Sequence, residues 1–233
     1  MVVAFTAQTL KPLNPRTFKP NQPATPTAMS KTIDYYFTPQ SPWTYLGHAR
    51  FAAMAEAAGA IVRMLPADYS KVFAASGGLP LGKRAPQRQA YRLMELARFR
   101  DYSGLPMNIH PQFFPVAGDD AARLIIAVDL QDGAAAAMRL SAAVFAAVWE
   151  RELDIASAET LSVLLAQCGL NPSRLPESRE PPTQQKYDAN TQAALDAGVF
   201  GAPSYVLDGE IFWGQDRLEF LQRTLNAPSQ SLH

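Results

Sequence analysis

Cysteine is almost missing from this chain: Cys168 is the only one in 233 residues. An intramolecular disulfide, and thiol–disulfide catalysis by a cysteine pair, are therefore excluded. Cys168 itself follows the helical pattern Ala158 to Gln167 and reads as a small core residue. Histidine is scarce too, with three copies in no ligand spacing, so no metal site is expected. Net charge is absent: 21 Lys+Arg balance 21 Asp+Glu, and the positive field of a nucleic-acid binder is not there. No apolar run approaches the roughly 18 residues that suggest a membrane-spanning helix. These absences predict a protein of an aqueous compartment, the cytoplasm, with neither nucleic acid nor membrane as partner.

What is present is apolar enough to fold. Hydrophobic residues make up 48% and charged residues 18%, which suits a sizeable core. Residues 1–30 are rich in Pro, Thr and Ala and carry Lys11, Arg16 and Lys19 but no acid, the composition of a disordered leader. From Ile33 the pattern reads strand (Ile33 to Phe37), helix (Tyr45 to Ala58) and strand (Ile61 to Leu65), a parallel βαβ unit. A loop with Gly77-Gly78 and Pro80 leads to helical patterns at Pro86 to Tyr102, Asp119 to Leu130, Ala134 to Arg151 and Ala158 to Gln167. Within them Leu140, Val144 and Val148, flanked by Phe145 and Trp149, form a buried stripe. A polar loop from Asn171 to Pro182 precedes a helix from Thr183 to Ala197, stopped at Gly198. Ser204 to Leu207 and Glu210 to Trp213 are short strands joined by Asp208-Gly209, a two-residue hairpin signal, and a helix from Asp216 to Leu225 closes the chain. The order is βαβ, a helical insertion, then αββα, which is an α/β fold.

Ser41-Pro42-Trp43-Thr44 opens the first helix. A helix N-terminus offers unpaired N–H groups and the positive end of a dipole, so it favours a thiolate, yet neither outer position of this turn supplies sulfur. The sulfur must come from elsewhere; the competing role for Ser41 is an N-cap. Gly201-Ala202-Pro203 lies just before the hairpin, where a proline leaves neighbouring backbone groups off the ladder and open to an extended peptide ligand. Paired with the Ser41 turn, it resembles the cis-proline of thioredoxin-type proteins. His48 does not supply the base a serine hydrolase needs, because it lies seven residues along the same helix, roughly 10 Å from Ser41; His110 is the one that the fold could still bring close. His48 reads as an ordinary helical residue, and His110 as a surface-loop histidine. Gly77 to Arg84 nearly spells a phosphate-binding loop, but Arg84 replaces the required Ser/Thr and no strand immediately precedes it. Lys83, Arg84, Arg88 and Arg92 gather at a helix entry, the last three spaced by four, and can present cations to carboxylates. For Arg92 a solvated face paired with Glu95 is expected.

Three blocks carry a resemblance: TPQSPWTYLG at 38–47, GGLPLGKRAPQRQAYRLMELARF at 77–99, and GVFGAPSYVLDGEIFWGQDRLEFL at 198–221. Together they closely resemble 2-hydroxychromene-2-carboxylate isomerases, relatives of kappa-class glutathione transferases. Over about 33–225 the resemblance implies a thioredoxin-like α/β fold with a helical insertion domain, glutathione as cofactor and a homodimer. It divides the chain into a leader (1–30), a thioredoxin-like domain (31–68 and 183–227) and the insertion (69–182). It implies Ser41 as the catalytic residue, donating to the glutathione sulfur. A free thiol with pKa ≈ 8.5 needs a shift of roughly two units, about 2.7 kcal/mol, to be mostly thiolate at neutral pH. A hydroxyl bonded to an anion contributes roughly 1.5–3 kcal/mol and a helix start about 0.3–1.

The same resemblance gives Ala202 and Pro203 to the cysteinyl portion of glutathione, and Gly214, Gln215, Asp216 and Arg217 to its γ-glutamyl end, with Asp216 meeting the ammonium. Lys83, Arg84 and Arg88 are implied as substrate contacts, for a substrate bearing a carboxylate. Asp216 followed by Glu219 also fits a capping box, a role compatible with ligand binding. Two positions depart from the relatives: Gly78 stands where kappa-class proteins have a glutathione-contacting Asn, and Thr38 where relatives often have Asp. The implied reaction is cis–trans isomerisation of 2-hydroxychromene-2-carboxylate or a related aromatic unsaturated keto acid by reversible thiolate addition. Kappa-like glutathione transfer or peroxide reduction, and noncatalytic peptide binding through Pro203, are the alternatives.

Overall fold

The computed structural model describes residues 30–227, so the leader expected over 1–30 lies outside the described residues apart from Ser30. In chain order the elements are β1 (Thr32–Phe37), α1 (Pro42–Ala57), β2 (Ile61–Pro66), α2 (Tyr69–Ser76), α3 (Pro86–Ser103), α4 (Asp119–Asp132), α5 (Ala134–Trp149), α6 (Ala158–Gln167), α7 (Arg174–Glu177), α8 (Pro181–Asp196), β3 (Ser204–Leu207), β4 (Glu210–Trp213) and α9 (Leu218–Asn226). The sheet runs β2-β1-β3-β4. β1 is parallel to β2 across the α1 crossover and antiparallel to β3, and β3 and β4 form the hairpin expected at Asp208-Gly209.

Side chains alternate across a strand, and β1 uses both faces. Ile33, Tyr35 and Phe37 enter one apolar core with Leu46 and Phe51 of α1, Leu140, Val144 and Phe145 of α5, and Leu221 of α9. Tyr36 enters another, with Leu65, Val72 of α2, Ala194 of α8 and Val206. The sheet is therefore covered on both sides, and the helices between β2 and β3 share the larger core with it rather than forming a separate lobe. No described helix is long and apolar enough to cross a membrane.

Element boundaries differ from the sequence expectation where caps and prolines decide them. α1 begins at Pro42, three residues early, because the Ser41 side chain caps it and Pro42 occupies a first-turn position that needs no N–H. α2 lies where only a loop was expected; Asp68 caps it, Gly77 at φ 74° ends it, and eight residues are too short to show a clear apolar period. The expected loop from Asn171 to Pro182 instead holds α7 and the first turn of α8, where Pro181 and Pro182 are tolerated.

His48 lies in α1, as expected, but with a buried and fully paired ring. It is buried between sheet and α5, with Nε2 3.0 Å from the Met138 carbonyl and Nδ1 3.2 Å from the Tyr35 hydroxyl. A carbonyl only accepts, so Nε2 carries the proton and Nδ1 accepts from Tyr35. Burial pushes its pKa down to about 4. The unfolded chain, with a histidine pKa near 6.5, takes up the proton first as pH falls. Stability is thus unaffected by His48 above pH ~6.5 and is lost between there and about 4, by about 3 kcal/mol. Urea unfolding from pH 7 to 4 is expected to show this acid loss in the wild type and a flatter profile in His48→Gln.

Candidate active site

Ser41, Ala202-Pro203 and the start of the Gly214–Arg217 segment lie at the C-terminal end of β1. β1 pairs with β3 up to Tyr36 opposite Ser204, and β3 with β4 from Ser204 opposite Trp213. Continuing that register sets Pro203 beside Phe37, where β1 runs into the Thr38–Ser41 turn, and the Gly214 N–H donates to the Pro203 carbonyl at 2.8 Å. Ser41, Ala202-Pro203 and Gly214-Gln215 therefore meet at one end of the sheet.

Ser41 is 8% exposed. Its N–H donates to the Thr38 carbonyl at 3.0 Å, and its Oγ accepts the Thr44 N–H at 3.3 Å. The capping reading thus holds. It uses only an acceptor lone pair: the Ser41 O–H donates to nothing among the described residues, so the same hydroxyl stays able to donate to an anion. The preceding turn is pinned by Gln40, whose Oε1 accepts from the Thr38 hydroxyl at 2.7 Å and whose amide fills the space a Cβ at Gly118 would take. Thr38 thus serves this turn locally.

The Ala202–Pro203 peptide is cis, as expected. The Gly201 carbonyl accepts from the Tyr69 hydroxyl at 3.2 Å and the Ser204 hydroxyl at 2.8 Å, which anchors the segment. Neither the N–H nor the carbonyl of Ala202 pairs with backbone among the described residues, so both are available to an extended peptide. Gly201 has no room for a side chain because the Trp213 indole lies against it.

Gly214 has φ 101°, and a Cβ there would meet the Asp216 carboxylate at 2.6 Å, so only glycine suits this bend. Gln215 is buried and held by Arg50 of α1, which donates to its backbone carbonyl at 2.9 Å and to its side-chain oxygen. The capping box expected from Asp216 and Glu219 does not form. Gln215–Arg217 winds as a 3-10 turn, the helix starts at Leu218 with Arg217 as its cap, and Asp216 instead pairs with Arg217 at 2.6 Å. Its carboxylate remains about half exposed and open to a cation.

The cations divide. Lys83 and Arg88 are exposed, whereas Arg84 and Arg92 are half-buried. Arg84 donates to the Leu79 carbonyl at 2.8 Å and lies 5.9 Å from the Phe73 ring. That ring also occupies the space at Gly78, where a Cβ would meet it at 2.6 Å, so an Asn at position 78 has no place here. The expected Arg92–Glu95 pair is absent, because Glu95 pairs with Arg98 one turn further on. Burial, then Arg88, lowers the pKa of Arg84; burial, then Arg84, lowers that of Arg92 to about 10. His110 is exposed on its loop, and both ring nitrogens of His48 are engaged elsewhere, so neither histidine is paired with Ser41.

Such a site, with a capped serine turn and a cis-proline strand, belongs to a thioredoxin-type fold. The model for the DSBA-like thioredoxin domain matches residues 32–226, and the chain belongs to that family. Within it the chain falls with the 2-hydroxychromene-2-carboxylate isomerases: the protein of that name from Sphingobium xenophagum is 30% identical over 199 residues, 84% of this chain and 99% of the relative. A solved 2-hydroxychromene-2-carboxylate isomerase superposes with a TM-score of 0.68 at 26% identity, covering 83% of this chain and 94% of the other. The cytosolic disulfide reductase DsbM from Pseudomonas aeruginosa, solved with GSH, shares the fold at a TM-score of 0.60 and 20% identity, covering 84% and 100%.

Sequence reasoning missed Gly47. A Cβ there would meet the Gln215 Cβ at 2.8 Å and the Tyr205 hydroxyl at 3.0 Å, so this glycine lets the Gln215 turn lie directly on the serine helix. The available signal was a lone glycine inside an apolar helical pattern. Gly47→Ala is expected to cost about 1–3 kcal/mol in urea unfolding by overpacking. Gly82→Ala, with open space at its Cβ, is expected to change stability by less than about 0.5 kcal/mol.

Proposed function

We propose that this protein is a glutathione-dependent cis–trans isomerase of 2-hydroxychromene-2-carboxylate or a related aromatic unsaturated keto acid. The observation that carries the reading is the uncommitted O–H of Ser41, at a helix N-terminus and at the same sheet end as the unpaired backbone groups of Ala202. Those groups suit the cysteinyl backbone of glutathione, and the open carboxylate of Asp216 suits its ammonium. The relatives named as isomerases support the reaction type.

Glutathione, when bound, supplies a thiolate nucleophile that adds reversibly to a conjugated double bond. The chain's residues prepare and aim that chemistry. Ser41 donates its hydroxyl proton as a hydrogen bond to the sulfur, and the α1 N-terminus adds a favourable field, which lowers the thiol pKa without a transferred proton. Ala202 fixes the cysteinyl portion by two-point backbone pairing, with Pro203 setting the bend. Gly214, Gln215, Asp216 and Arg217 form the γ-glutamyl corner, with Gln215 as the buried support and Asp216 as the charged contact. Lys83, Arg84 and Arg88 supply the cationic rim that draws in the substrate carboxylate.

Calorimetry with glutathione tests the cofactor, and titration of thiolate absorbance in the complex tests the serine. The wild-type complex is expected to titrate below pH 8.5, whereas Ser41→Ala is expected to raise that midpoint by about one to two units and lower isomerase turnover about tenfold or more. Undiminished turnover in the alanine variant rejects the role of Ser41. Accumulation of a glutathione conjugate in place of isomerised product marks a transferase instead.

A further inference from the structure

From Lys83 to Arg92 the chain carries four cations and no acid, and the nearest acid, Glu95, is taken by Arg98. Their environments are unequal. Lys83 and Arg88 face solvent, and Arg84 already spends its Nε on the Leu79 carbonyl. Arg92 is half-buried, yet its guanidinium makes no hydrogen bond or ion pair among the described residues and stands 5.2 Å over the Phe114 ring. Phe114 packs its ring 4.8 Å from Trp149, so the platform beneath Arg92 is itself part of the core. A planar guanidinium fixed over an aromatic ring, with five N–H donors unspent, is suited to two-point capture of a carboxylate.

Its position ties it to the serine turn. Arg92, Leu96 and Phe99 lie on one face of α3 by helical spacing. Leu96 is fully buried, and Phe99 meets Trp43, two residues after Ser41, edge-on at 5.9 Å. Phe99 is seven residues from Arg92, about 10 Å along the helix axis, the scale of an aryl ring extended by a short conjugated acid. From the other side, Phe114 is four residues from Gly118, which packs against Gln40 of the serine turn.

We propose that Arg92, held on Phe114, is the carboxylate anchor for the substrate, an aromatic conjugated monocarboxylate. The assignment rests on the reading that an unsaturated acid is the substrate, and adds the residue that fixes its charged end. Mutual repulsion within an unneutralised cation group makes an incoming anion the missing partner. Arg84 and Arg88 then act as the outer field and Arg92 as the inner contact.

The test is calorimetry of the full chain with cinnamate and with its uncharged analogue cinnamamide. The wild type is expected to prefer cinnamate. Arg92→Met is expected to weaken cinnamate about tenfold or more while leaving cinnamamide within about twofold. Arg92→Lys keeps the charge but not the fork and is expected to lose about threefold or more, which carries the test should the Met variant fail to fold. Equal cinnamate affinity in the wild type and the folded variants overturns the assignment, as does a wild type that shows no preference for the acid or binds neither compound at millimolar concentration. Glutathione affinity, measured in parallel, is expected to be unchanged by Arg92→Met. A wild type that ignores glutathione defeats the cofactor reading, while the cinnamate comparison still decides Arg92.

Discussion

Direct contact between α1 and the Gln215 turn holds the two halves of the candidate site in register, and it exists because position 47 has no side chain. The serine is carried by the N-terminus of α1, and the Gly214–Arg217 segment comes from the far end of the chain. Arg50 bridges the same pair, reaching from the next turn of the helix to both oxygens of Gln215. Backbone-to-backbone approach tolerates less drift than contact through long side chains, because packed atoms cannot yield by changing rotamer. The cis Ala202–Pro203 segment is fixed from the other direction by Tyr69 and Ser204. Three chain segments distant in sequence are thus placed by short contacts rather than by a charged network.

The electrostatics follow the same economy. Ser41 starts a helix with its lone pair and keeps its proton free, so its capping role leaves the same hydroxyl able to donate. A cysteine there would bring a sulfur that the serine does not. The cations from Lys83 to Arg92 have no acid among them in the sequence, which a stability argument alone would disfavour. Local conflicts of that kind are expected where function, rather than folding, chose the residues.

Much of the frame was legible because it was written in local signals. The strand alternation of β1, the Asp208-Gly209 hairpin and the apolar stripe of α5 each obey a short-range rule. Pro203 was legible only in combination with the Ser41 turn, since an isolated X-Pro says little. α2 escaped because its burial rests on just Tyr69 and Val72, too few to display a period. Asp216 was misread as a cap because the letters of a capping box do not reveal that a 3-10 turn will shift the helix start. Arg92 was assigned to solvent because Glu95 stands three residues away; the structure gives that acid to Arg98 and turns Arg92 onto Phe114. Such choices between equivalent spacings are made by tertiary packing, which sequence distance does not encode.

The wall around α1 has a consequence for how this protein can be divided. Its buried histidine leans on a carbonyl and a ring from α5, and Tyr45 reaches Glu150 just beyond the end of α5. The intervening helices are therefore not an ornament hung on a minimal sheet-and-helix unit. Without those helices, the serine helix would expose apolar flanks and lose the partner of a polar ring, so the sheet and the helices between β2 and β3 stand as one unit.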